Sequence, residues 1–235
     1  MANPIHIEVT EYRLHLARGL RRSEGPQLRG FFSSKFAKEV MLHHHRANGS
    51  LLYDYPRVQF KILDKTALLL GLAEGSDLLS RLWLKVDRTT LGTEDLSVLE
   101  SHIVRRKEWL GEVVERVQYR FLTPWLALNQ ENERKYAATR SRHEHVGLLE
   151  SILVGNCLSL AKSFGYQVAL HLGADCNELR SVKTSLKGVS MRGFVGAFRV
   201  NFLLPDRIGI GKSVSRGFGT IERLAAKSFG EGGKA

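Results

Sequence analysis

The chain opens on an alternation of apolar and polar residues, with Ile5, Ile7 and Val9 set against His6, Glu8 and Thr10, which predicts a strand over residues 4–16 with one buried face. RRSEGPQLRG follows as a polar turn. Residues 31–46 read as a helix, with Ser33 or Ser34 as N-cap, Phe36, Val40 and Met41 as apolar positions, and Asn48-Gly49 as a stop. LLYDYPRVQFKIL and TALLLGL flank Asp64-Lys65 and predict two strands across a tight turn, and Glu74 to Trp83 starts another helix. Composition turns polar from Thr89 to Ser101, which suggests a soft domain boundary, and residues 103–128 read as one or two long strands.

Leu148, Leu149, Ile152, Leu153 and Leu160 recur at helical spacing, so residues 141–164 form the clearest helix, closed by Gly165. Tyr166 to Leu172 and Gly193 to Leu204 look like strands separated by KTSLKGVS. The second leads into PDRIGIGKSVSRGFGTIERL, a glycine-punctuated hairpin returning through Phe218 and Ile221. Strands and helices occur in both halves without regular alternation, so the expected class is α+β. Two tandem ferredoxin-like domains, residues 1–100 and 101–235, would satisfy the pattern.

A chain of 235 residues with 43% hydrophobic residues can bury an ordinary core. Without an unbroken run of about 18 apolar residues, the expectation is a soluble, unprocessed protein with no membrane partner. Cys157 and Cys176 lack a CxxC partner, which argues against a disulfide framework or cysteine zinc site and fits a reducing cytoplasm. Charge adds more: +11 and a pI near 9.9 create a field that attracts polyanions, either nucleic acid or an anionic surface. Ten basic residues face three acidic ones from Ser181 to Ala235, so a phosphate backbone is expected to dock at that end.

The loop GIGKSVSRGFG places Gly209, Gly211, Gly217 and Gly219 around Lys212, Ser213, Ser215 and Arg216. Exposed backbone N–H groups and two cations could there approach a phosphate, although glycines supplying only turn geometry would look the same. A nucleotide-binding P-loop is excluded, since Asp206 stands where its first glycine is required. His43-His44-His45 offers groups that are neutral or protonated near neutral pH, suited to moving protons at a ribose 2′-OH and a departing 5′ oxygen. Metal ligation and plain surface placement are the competing uses. Residues two apart on a helix point about 200° away from one another, so His43 and His45 can share a phosphate only where the helix ends. His143 and His145 in RHEH read as capping or solvated residues, and Asp54, Glu74 and Asp77 lack a partner for acid–base work.

QLRGFFSSKF, LHHHRANG, LLYDYPRVQFKILDKTALLLGLAEGSDLL, FLTPWLALNQENERKY, LLESILVGNCLSLAKSFGY and IGIGKSVSRGFGTI, in this order, resemble the CRISPR-associated endoribonucleases of the RAMP superfamily, in particular their b-type subgroup. The resemblance implies two ferredoxin-like domains similar to RNA-recognition modules. It also implies metal- and cofactor-free cleavage of CRISPR repeat RNA by 2′-OH attack, leaving 2′,3′-cyclic phosphate and 5′-OH ends. The subgroup's LHxH pattern falls on Leu42 to His45 and points to His43 and His45 as the catalytic pair. Lys35, Arg57, Lys61, Lys212, Ser213, Arg216 and the loop glycines become the expected RNA contacts. Expected partners are precursor and mature CRISPR RNA, effector-complex subunits and a second copy of the chain; a non-catalytic RAMP subunit that only holds RNA is the rival reading.

Overall fold

The computed structural model describes residues 3–43 and 55–225, and of His43 the backbone alone. The alternating start forms β1 (Ile5–Leu16), antiparallel to β3 (Thr66–Leu72) on one side and β5 (Glu94–Trp125) on the other. Both faces of β1 are used: Tyr12 and Leu14 enter one core, Ile7 and Val9 another. β2 (Val58–Leu63) pairs with β3 through Asp64 and Lys65, whose φ angles of 49° and 64° give the turn a twist that suits a hairpin. α3 (Glu74–Leu82) lays Leu78, Leu79 and Leu82 into the first core.

β5 joins the halves. Its first part pairs with β4 (Arg88–Leu91) and β1, and its second part with β8 (Val189–Leu203) and β9 (Ile221–Arg223). β6 (Ala174–Asp175) and β7 (Arg180–Leu186) also pair with β8. The described residues thus form a nine-stranded sheet with the path β2-β3-β1-β5-β8-β6. The fold is α+β, two ferredoxin-like halves in tandem.

Several expectations change. The first helix, α1 (Gly25–Lys35), starts earlier because Pro26 occupies its first turn, where a missing N–H costs nothing. Ser33 lies inside α1 rather than capping it, and its hydroxyl donates to the Leu42 carbonyl at 2.9 Å. The chain leaves helical geometry at Phe36 and re-enters it for α2 (Val40–His43). The polar stretch from Thr89 to Ser101 forms the β4–β5 hairpin, turning at Gly92 with φ +66°. Tyr166 to Leu172 is not a strand: it packs over an irregularity in β5, where the Glu112 carboxylate accepts from the Ala169 N–H at 2.8 Å. KTSLKGVS is a hairpin in its own right, β7 turning into β8 at Lys187-Gly188.

α4 (Gln130–Ala138) was not anticipated, although Asn129 caps it through the Asn132 N–H at 2.7 Å. α5 (Arg142–Ser163) follows with Ser141 as its N-cap. It is long and apolar enough to cross a bilayer, yet Leu149, Leu153, Cys157 and Leu160 pack into the second core. Burial pushes the Cys157 thiol up to about 12, so this cysteine stays protonated and inert.

Glu24 ties the entry of α1 to β1. Its buried carboxylate accepts from Arg18 at 2.7 Å and from the Arg21 backbone N–H at 2.7 Å. Arg18 chiefly holds it down from 4.5 to about 2. A depressed carboxylate stabilises the fold above its unfolded value and loses that contribution as pH falls through its folded value. Glu24→Gln should therefore cost about 1–3 kcal/mol near neutral pH. In urea titrations the wild-type advantage should shrink as pH drops from 4.5 toward 2, and an advantage constant across that window would refute the assignment.

Candidate nucleic-acid interface

The glycine-rich loop is built from its anchors outward. Gln59 on β2 accepts the Gly209 N–H at 2.9 Å through its Oε1 and donates to the Tyr55 hydroxyl at 2.8 Å, and that hydroxyl donates to the Gly209 carbonyl. Lys61, two residues along the same strand face, sends its amine to Gln59 at 2.9 Å and to the Thr220 hydroxyl at 3.1 Å. From the other side the Thr123 hydroxyl donates to the Gly217 carbonyl at 2.7 Å and accepts from the Thr220 N–H at 2.9 Å. The Pro124 carbonyl takes the Gly219 N–H and the Leu126 carbonyl takes the Lys212 N–H. The loop is thereby clamped between the YxYPxVQFK and TPWLAL segments.

Two glycines explain the close approach. A Cβ on Gly219 would stand 1.9 Å from the Ile210 carbonyl, and one on Gly211 would strike the Trp125 indole at 2.5 Å. Both also hold positive φ, 62° and 87°, so neither tolerates a side chain. These glycines shape the loop, and Gly209 and Gly219 are buried.

The other expected contacts divide. Lys61 is fully buried, so its amine holds the loop from within rather than facing a phosphate. Arg57 is mostly enclosed: it pairs with Glu74 at 3.2 Å, donates to the Ser163 carbonyl and lies 3.9 Å over the Phe164 ring. Lys35 is exposed at the end of α1, distant in the chain from the loop, with its amine over Phe31. Lys212 is exposed, its amine donating to the Leu128 carbonyl at 3.0 Å, and partial burial lowers its pKa. Ser213 takes a left-handed φ of 59° and leads into the tight turn Val214–Arg216.

Sequence reading missed Arg29. It lies on α1 close enough to Arg216 for the two guanidiniums to repel, and burial first, then Arg216, lowers its pKa. Arg29 and Ser33 are one turn apart on α1, and Ser33 bonds the Leu42 carbonyl one residue before His43. Leu42, the residue before His43, is therefore held to α1 one turn from Arg29. His44, His45 and Asp54 lie outside the described residues, as does the His43 side chain.

Two depressions flank the loop. One, about 600 Å³, is lined by Tyr55, Ser159, Lys162, Ser163, Ser213 and Ser215. The other, about 760 Å³, lies between α4 and the β7–β8 hairpin and gathers Arg134, Lys183, Arg192 and Lys212. Cations scattered along the sequence here meet around one loop, an arrangement able to hold a phosphodiester backbone. His145 is accounted for elsewhere, stacked on Tyr136 at 3.8 Å.

Models of the Cas6b N-terminal and C-terminal domains match residues 5–109 and 112–224. The chain belongs to the Cas6b family. A crystal structure of Cas6b superposes with a TM-score of 0.86 at 31% identity, covering 94% of this chain and all of that one. A second, of the CRISPR RNA processing endoribonuclease Cas6b, gives 0.75 at 29% identity over the same shares. An uncharacterized protein of Methanocaldococcus jannaschii is 36% identical over 141 residues, 60% of this chain and 95% of its own length. A RAMP protein binding different RNA substrates, 13% identical with a TM-score of 0.53 over 95% of this chain and all of that one, shares the fold. In the Cas6b chain described here, two of the segments that carry the family resemblance, LLYDYPRVQFKIL and FLTPWLALNQENERKY, supply the residues that clamp the loop.

Burial pushes the Lys61 amine down to about 7, with Glu11 opposing and Arg207 assisting. The folded state then binds fewer protons than the unfolded chain between pH 7 and 10.5, so this group's contribution to stability rises with pH across that window. Unfolding free energies of wild type and Lys61→Met, compared from pH 7 to 10, should diverge in favour of wild type. A difference flat with pH would show that Lys61 keeps an ordinary pKa.

Proposed function

We propose that this chain is a metal-independent endoribonuclease that cuts CRISPR repeat RNA within the precursor transcript. The 2′-OH attacks the adjacent phosphate, the leaving 5′ oxygen is protonated, and the products carry 2′,3′-cyclic phosphate and 5′-OH ends. His43 and His45 are the general acid and base, in either order. Membership of the Cas6b family carries this reading, supported by the similarity to a structure described as a CRISPR RNA processing endoribonuclease. Supporting it further, Ser33 and Leu42 tie the start of the histidine segment to α1, whose Arg29 stands beside Arg216.

In this reading the RNA backbone runs past Arg29, Arg216 and Lys212, with the loop's Ser213 in reach, while the loop glycines and Lys61 keep that surface in shape. The proposed halves, residues 1–100 and 101–235, supply the histidines and the loop respectively. Cytoplasmic location, a second copy of the chain and effector subunits receiving the mature RNA belong to the same proposal. The rival is a non-catalytic RAMP subunit that only holds RNA.

General acid–base help contributes about 10²- to 10⁴-fold. Single-turnover cleavage of labelled repeat RNA in EDTA should accordingly slow by about that factor in His43→Ala/His45→Ala. Filter binding should show affinity within a few-fold of wild type. Tight binding without cleavage by wild type would favour the holding subunit, and undiminished cleavage by the variant would remove the two histidines from the chemistry.

A further inference from the structure

Away from the loop, His15, Glu100 and His102 bring three ligand atoms within 4.8 Å of one another, the one such group of three His, Cys, Asp or Glu side chains among the described residues. Antiparallel pairing produces the cluster. His15 on β1 stands opposite Glu100 on β5, and His102, two residues along, shares the face of Glu100. A ligand pair at i and i+2 on one strand with a third directly across makes a triangle whose corners are fixed by the ladder. The pairing jumps just beyond it: His15 faces Glu100 while Leu16 faces Val98, leaving Leu99 bulged outward and 70% exposed. Bulges turn neighbouring side chains away from the regular pleat, and this one borders both His15 and Glu100.

We propose that these three residues bind one divalent transition ion of the zinc class. Two imidazoles and a carboxylate match the donor preference of Zn²⁺, Ni²⁺ or Cu²⁺ and not that of Mg²⁺ or Ca²⁺. Bond lengths of about 2.0–2.2 Å would bring the ligand atoms to about 3.3–3.6 Å from one another. His102 Nε2 and Glu100 Oε1 already lie 2.8 Å apart and the imidazole rings 5.7 Å centre to centre. All three side chains are exposed and free to adjust their terminal torsions. Arg13, opposite His102 in the ladder, is the adjacent cation, and its guanidinium is held by Glu11 at 2.6 Å. Three protein ligands leave the remaining coordination positions to water or to a phosphate oxygen brought to this face.

The test titrates the metal-stripped full chain with Zn²⁺ by calorimetry. It compares wild type, His15→Ala/His102→Ala, Glu100→Gln, and a His43→Ala/His44→Ala/His45→Ala control. Circular dichroism checks that each variant folds. An ion bound by wild type and by the control, but at least tenfold more weakly by both His15→Ala/His102→Ala and Glu100→Gln, is the expected result. The proposal fails if wild type binds no Zn²⁺, if the first two variants bind it as wild type does, or if the control alone loses it.

Discussion

A lysine amine with no exposure must find its partners inside the protein, and the fold around the glycine-rich loop follows from how Lys61 finds them. Its amine bridges Gln59, whose amide holds Gly209, to Thr220, whose hydroxyl also donates to the Gly217 carbonyl at 3.1 Å. One side chain from β2 thus fixes both legs of a loop some 150 residues later. Breaking any member leaves buried polar atoms unpaired, which costs more than the bond itself is worth. The polar network can persist only if β2 and the loop stay in register.

β5 supplies that register. It carries the pairing of β1 at one end and of β8 and β9 at the other, so the two cores are displaced along one strand rather than hinged at a linker. Thr123, Pro124 and Leu126, at the end of that strand or just beyond, are the residues that take hold of the loop from the second half. Segments far apart in the chain therefore converge on one feature.

Much of this was legible in the chain itself. The alternation at Ile5 to Val9, the Asp64-Lys65 turn and the spacing of Leu149, Leu153 and Leu160 each report a local rule: one buried face, one tight turn, one helical stripe. What was not legible depends on neighbours. Tyr166 to Leu172 alternates like a strand but finds no partner strand, because a bulged stretch of β5 offers Glu112 instead of a ladder. Lys61 looked like an outward cation since nothing in its surroundings along the chain announces Gln59 and Thr220 closing over it. Arg29 escaped notice for the same reason: its significance arises only once α1 sets it beside Arg216. The candidate histidines stand where the described residues stop, so their reading rests on the family pattern and on the anchoring of Leu42.

The central chemical claim is that the RNA cuts itself through its own 2′-OH, with the protein holding the strand and moving protons. Repeat RNA carrying a single 2′-deoxy substitution at the nucleotide 5′ to the scissile phosphate addresses this directly, with binding and cleavage followed in the same samples in EDTA. The account predicts that the substituted RNA binds as tightly as the natural repeat and is not cut at that phosphate. Cleavage at an undiminished rate would mean that water or a protein group attacks instead, and would contradict the account.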